Sequence, residues 1–176
     1  MKLNTAKKLT AGALALSMMF AMATPAFAVS EAVPSTDPHI TKKYTATNAG
    51  TASPEETFTF TAVATNVKNA GVKADGSVIT ATDAPKLTIE AATYDANNGA
   101  TTDGAEKTLR ITHDDPFPNV GIYYYTVTEA ASGNEGVTTL AGNMLLKVSV
   151  VYNEAGTALE EKYAFYTAMD DKGEGK

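Results

Sequence analysis

Two charged residues fall where strand alternation puts the apolar side. From Ile40 to Ala46, a period-2 pattern groups Ile40, Lys42, Tyr44 and Ala46 on one face and Thr41, Lys43 and Thr45 on the other. From Gly121 to Glu129, the same alternation sets Glu129 beside Tyr123, Tyr125 and Val127, although Ile122 and Tyr124 make the opposite face partly apolar as well. Removing either charge from water is costly unless it meets a partner. An ordinary ion pair is one resolution. The other is chemistry: burial favours the neutral forms of both side-chain types, so a lysine and a glutamate can rest as amine and acid. Such an amine can attack an Asn carboxamide while the acid hydrogen-bonds its oxygen and shuttles protons, releasing ammonia and leaving an isopeptide bond. That reaction needs a dry site and fixed geometry. The plainer alternatives stay open at this point: Lys42 on an edge strand can snorkel to solvent, and Glu129 at a strand end can be an exposed carboxylate.

The elements that must position these residues are short strands. After His39 the chain is a series of Thr/Val/Tyr-rich runs separated by Gly, Asn, Asp and Pro, with no sustained helical period. Strands are predicted at 40–47, 57–65, 86–94, 107–112, 121–129, 144–152 and 159–167. Turn residues such as Asp75-Gly76, Asp103-Gly104 and Ser132-Gly133-Asn134 lie between them. About seven strands with such punctuation predict an all-β, two-sheet sandwich. The run from Met144 to Tyr152 has the clearest core face, with Met144, Leu146, Val148, Val150 and Tyr152 on one side and Lys147 and Ser149 on the other.

The N-terminus carries Lys2, Lys7 and Lys8, then an apolar stretch from Leu9 to Met22, then Pro25-Ala26-Phe27-Ala28. This order predicts a secretory signal peptide over residues 1–28, cleaved after Ala28, with no membrane attachment afterwards. Residues 29–38 include Pro34 and Pro38 and read as a linker, and residues 39–176 as one domain. Cysteine is absent, so an exported domain of this size has no disulfide to staple it. The net charge of −6 and the lack of a basic, aromatic-lined patch argue against a nucleic-acid partner.

The stretches Ile40-Thr41-Lys42-Lys43-Tyr44, Ser53-Pro54-Glu55-Glu56-Thr57-Phe58-Thr59-Phe60, Gly121 to Glu129 and Leu145 to Val150 resemble the isopeptide-forming pilin domains of Gram-positive surface proteins. The resemblance covers most of the chain after His39. It implies an immunoglobulin-like sandwich in a pilus shaft or adhesin stalk at the cell surface or wall, with Lys42 as the reactive lysine and Glu129 as the assisting acid. Its partners would be other pilin or surface-protein subunits. The family's last strand carries an aromatic-x-Asn-Thr-Tyr-like motif whose Asn completes the bond, and Asp170 to Lys176 contains no Asn. The expectation is therefore a domain lacking its last strand: a truncated piece of a longer protein, a domain in which the bond cannot form as it does in the family, or one completed by a strand from another subunit. No sorting signal of the Leu-Pro-x-Thr-Gly type is present either.

Other groupings carry less. Tyr123, Tyr124 and Tyr125 could form a sugar-stacking platform, but such runs more often pack across strands. His113-Asp114-Asp115 resembles a metal or catalytic cluster only superficially, because contiguous turn residues rarely converge on one ion, and a zinc site with His39 as the only other histidine would need distant carboxylates. No metal or cofactor is expected. Nucleotide-binding and hydrolase motifs are absent, so a turnover enzyme is not expected. The competing reading is a surface module that binds a host protein or glycan through loops 66–84 or 96–105.

Overall fold

Each run rich in β-branched and aromatic residues forms a strand, and Gly, Asn and Asp punctuate the connections. A computed structural model describes residues 36–48, 52–66, 72–73, 75–97 and 100–166. The expected signal peptide with its Ala28 cleavage site, most of the linker and the acidic tail lie outside the described residues. The strands are β1 (His39–Tyr44), β2 (Glu56–Phe58), β3 (Phe60–Ala64), β4 (Leu87–Ile89), β5 (Ala92–Tyr94), β6 (Ala105–His113), β7 (Gly121–Glu129), β8 (Asn143–Tyr152) and β9 (Leu159–Tyr166). All named ladders are antiparallel, in three sheets of order β1-β6-β4, β2-β5 and β3-β7-β8-β9. The result is an all-β, sandwich-like fold. Among the described residues, no helix is long and apolar enough to cross a membrane.

Two of the predicted strands are each split, which raises the count from seven to nine. The run 57–65 breaks at Thr59: β2 pairs with β5, and β3 pairs with β7. The run 86–94 breaks at Glu90–Ala91, where β4 pairs with β6 and β5 with β2. In both places the chain passes from one sheet to another, the usual way of making a corner in a sandwich. The backbone stays anchored at each break, since Thr59 C=O accepts from Ala130 N–H at 2.9 Å and Glu90 N–H donates to Arg110 C=O at 3.0 Å.

The core lies between the inner faces. Ile40 and Tyr44 of β1, Leu109 and Ile111 of β6, and Leu87 and Ile89 of β4 meet Tyr123, Tyr125 and Val127 of β7 and Leu146, Val148 and Val150 of β8. β8 follows its predicted faces through Val150. Tyr152 leaves the core because it sits at the turn end of the β8–β9 hairpin, opposite Leu159, where both residues are exposed.

Candidate functional site

Lys42 and Glu129 meet inside the sandwich. β1 presents Lys42 inward between Ile40 and Tyr44, and β7 presents Glu129 inward after Val127, so alternation on two strands of different sheets aims both side chains at one interior. Lys42 Nζ donates to Glu129 Oε1 at 2.5 Å. The two side chains retain only 3% and 0% of their accessibility, so the snorkelling and exposed-carboxylate alternatives do not describe this pair.

The surroundings fix both groups. Lys42 Nζ stands 3.9 Å from the centroid of the Phe58 ring, where the ring face offers a further electrostatic attraction. Phe58, Tyr44 and Tyr94 form an edge-to-face triad with centroid separations of 5.1, 5.3 and 5.8 Å. The Tyr94 hydroxyl donates to the backbone carbonyl of Lys42 itself at 2.7 Å, holding β1 from below the lysine. Burial, followed by Glu106 and Glu129, pushes the Tyr94 phenol up to about 12, so this donor keeps its proton at neutral pH. On the other side, Glu129 Oε2 accepts from Leu140 N–H at 2.8 Å. Each carboxylate oxygen therefore has a named donor, and the arrangement is an amine and a carboxyl group in direct contact at a dry, aromatic-walled site.

A second buried carboxylate, Glu56, lies outside the pair expected from the sequence. It is 6% exposed and accepts from Ser132 Oγ at 2.5 Å, Asn134 Nδ2 at 2.9 Å and Thr57 N–H at 3.2 Å. Its signal was present: Glu56, Phe58 and Phe60 alternate with Thr57 and Thr59, which places Glu56 on the aromatic side.

The remaining candidates separate clearly. Tyr123, Tyr124 and Tyr125 are all buried, so they form no exposed stacking platform. Tyr123 donates to Asn119 C=O and Tyr125 to Pro85 C=O, at 2.9 and 2.7 Å. His113 does not gather Asp114 and Asp115 around an ion: its Nδ1 faces Asp115 C=O at 2.8 Å and its Nε2 faces Glu161 Oε2 at 3.1 Å. Glu161 also accepts from the Tyr163 hydroxyl at 2.6 Å, forming a link between β6 and β9 that the spacing of His113 in sequence could not reveal. Among the described residues, no group of three or more His, Cys, Asp or Glu side chains is placed to hold a metal. Comparisons with family models, curated proteins and solved structures return no match for this chain.

Proposed function

We propose that this chain is a structural domain of a secreted pilus or adhesin stalk in which Lys42 and Glu129 form the amine-and-acid half of an intramolecular isopeptide site. The observation that supports this reading most directly is the 2.5 Å contact between Lys42 Nζ and Glu129 Oε1, closed to solvent and backed by Phe58. An ion pair that only stabilised the fold would gain little from such burial, because desolvation offsets most of the Coulombic attraction. A reactive amine gains from it. Glu129 lies in reach to take a proton from Lys42, leaving a neutral amine whose lone pair can attack an Asn Cγ. A C–N bond forms and the carboxamide C–N bond breaks: Glu129 hands the proton it took to the leaving nitrogen, which departs as ammonia, and takes up the second proton that the attacking nitrogen sheds on becoming an amide.

On this reading the Asn arrives on a strand that is not among these 176 residues. Among the described residues β1 pairs on one side only, with β6, so a strand carrying Asn can approach along its other side. The reaction is a single self-modification rather than turnover. In a protein without cysteine, the covalent link would take the place of a disulfide and carry load between strands.

The test is the intact mass of the chain carried on into an Asn-bearing strand. Condensation removes ammonia, a loss of about 17 Da, and Lys42→Ala or Glu129→Ala abolishes that loss. An unchanged mass in the unaltered extended protein overturns the reading.

A further inference from the structure

We infer that Glu56 is a positioning residue for the Lys42–Glu129 site: it pins the β7–β8 connection, residues 130–142, so that Leu140 N–H can hold Glu129 and water stays away from Lys42. The inference rests on the isopeptide reading for its purpose, and on independent geometry for its content.

The geometry begins in the β3–β7 ladder. Phe60 stands opposite Glu129, so the chain leaving β7 runs on antiparallel to residues 59 to 56. Ala130 N–H donates to Thr59 C=O at 2.9 Å, and Ser132 Oγ then reaches Glu56 Oε2 at 2.5 Å. Asn134 Nδ2 bridges Glu56 Oε2 and the Glu55 carbonyl, both at 2.9 Å. The connection then folds back: Val137 N–H donates to Asn134 C=O at 3.3 Å across Gly136, whose φ of +80° suits glycine. Val137 and Leu140 pack against the core, and Leu140 N–H closes the path on Glu129 Oε2 at 2.8 Å.

Two buried carboxylates thus grip the same connection at its two ends. Glu56 holds the outgoing half through Ser132 and Asn134, and Glu129 holds the returning half through Leu140. Glu56 accepts from Thr57, Ser132 and Asn134, two of them in the connection, so its effect on the site passes through the connection. A buried carboxylate that accepts from a hydroxyl, a carboxamide and a backbone amide is a strong anchor, because charge-assisted hydrogen bonds exceed neutral ones. Losing its donors frees the outgoing half and, with it, the geometry that presents Leu140 N–H to Glu129.

The test uses two readouts that do not need the covalent bond to form. One is amide hydrogen exchange at Leu140 compared with amides of β8 and β9; the other is acylation of Lys42 by a water-soluble amine reagent, followed by peptide mass mapping. Glu56→Gln, and separately Ser132→Ala with Asn134→Ala, should raise both rates by about tenfold or more, the scale set by losing a hydrogen bond to a charged group. Protection in β8 and β9 should be unchanged, and Ser132→Thr, which keeps a hydroxyl, should leave Lys42 protected. Unchanged rates at Leu140 and Lys42 in both variants overturn the inference, as does a uniform loss of protection across β8 and β9. If Leu140 and Lys42 respond while the extended protein shows no mass loss, the covalent reading fails and the role of Glu56 stands.

Discussion

Lys42 Nζ and Glu129 Oε1 lie 2.5 Å apart although 87 positions separate them in sequence and their strands belong to different sheets. Removing one member leaves the other charge buried without its partner. Lys42→Met should therefore destabilise the domain by about 3–5 kcal/mol, the scale for breaking a buried pair. Combining it with Glu129→Gln removes both charges and keeps an acceptor for Leu140 N–H, so the double variant should be more stable than Lys42→Met alone. Urea unfolding of the two singles and the double gives the coupling, and a double variant as unstable as the sum of the singles would contradict it.

The pair was legible in the sequence because alternation is a local signal and both residues sit in unbroken strands. Glu129 closes a strand whose predicted bounds, 121–129, match those observed. Glu56 shows where that reading stops. Its face could be inferred from Phe58 and Phe60, but Ser132 and Asn134 come from a connection whose path depends on β7 continuing alongside β2. Likewise, nothing near Thr59 or Glu90 announces that the chain changes sheets there. Both breaks are set by which partner strand is available, a tertiary property that local propensity does not encode. The same holds for His113, whose partner Glu161 lies 48 positions away.

Alkaline pH should unfold the domain through its tyrosines. Burial first, then Glu106 and Glu129, raises Tyr94 to about 12; burial also raises Tyr125 and Tyr163 above their ordinary value, with Glu161 adding to both. The unfolded chain loses these protons near the ordinary tyrosine value of about 10, before the folded chain does. The neutral phenols thus stabilise the fold fully below that pH, and their contribution is lost as pH rises toward the folded values. Circular dichroism and tyrosinate absorbance, followed together, should show a late and cooperative ionisation coincident with unfolding. Gradual ionisation of all tyrosines in a still-folded domain would count against it.

Acid should loosen the segment around Asp83 before the core. Lys73 Nζ lies 2.6 Å from Asp83 Oδ1, and Thr80 donates to Oδ2 through both N–H and hydroxyl at 2.9 Å. The hydrogen bond from Lys73, followed by those from Thr80, lowers the Asp83 carboxyl to about 2. With a depressed folded value, the local contribution is complete above the ordinary value of 3.8 and is lost as pH falls through about 2. Protection of the Thr80 amide, measured against its intrinsic exchange rate at each pH, should fall across that window in the unaltered protein, and Asp83→Asn should show weaker protection already at neutral pH. Equal exchange at Thr80 in both proteins at neutral pH would refute the assignment.

Glu161 ties the two large sheets together. From the inner face of β9 it accepts from Tyr163 at 2.6 Å and stands 3.1 Å from His113 Nε2 on β6, while the His113 ring packs edge-on against Phe117 at 5.4 Å. Tyr163 is buried, so losing its acceptor leaves a hydroxyl without its partner, a cost of about 1–3 kcal/mol. Glu161→Ala should destabilise by that amount. His113→Ala should cost less than Glu161→Ala on the polar contact, because the Tyr163 bond survives it, but it also removes the packing on Phe117. Since both substitutions delete the same cross-sheet contact, their effects should add to less than the sum of the singles. Strict additivity in denaturant titrations would mean that Glu161 serves Tyr163 alone and that β6 and β9 are held by apolar packing without this link.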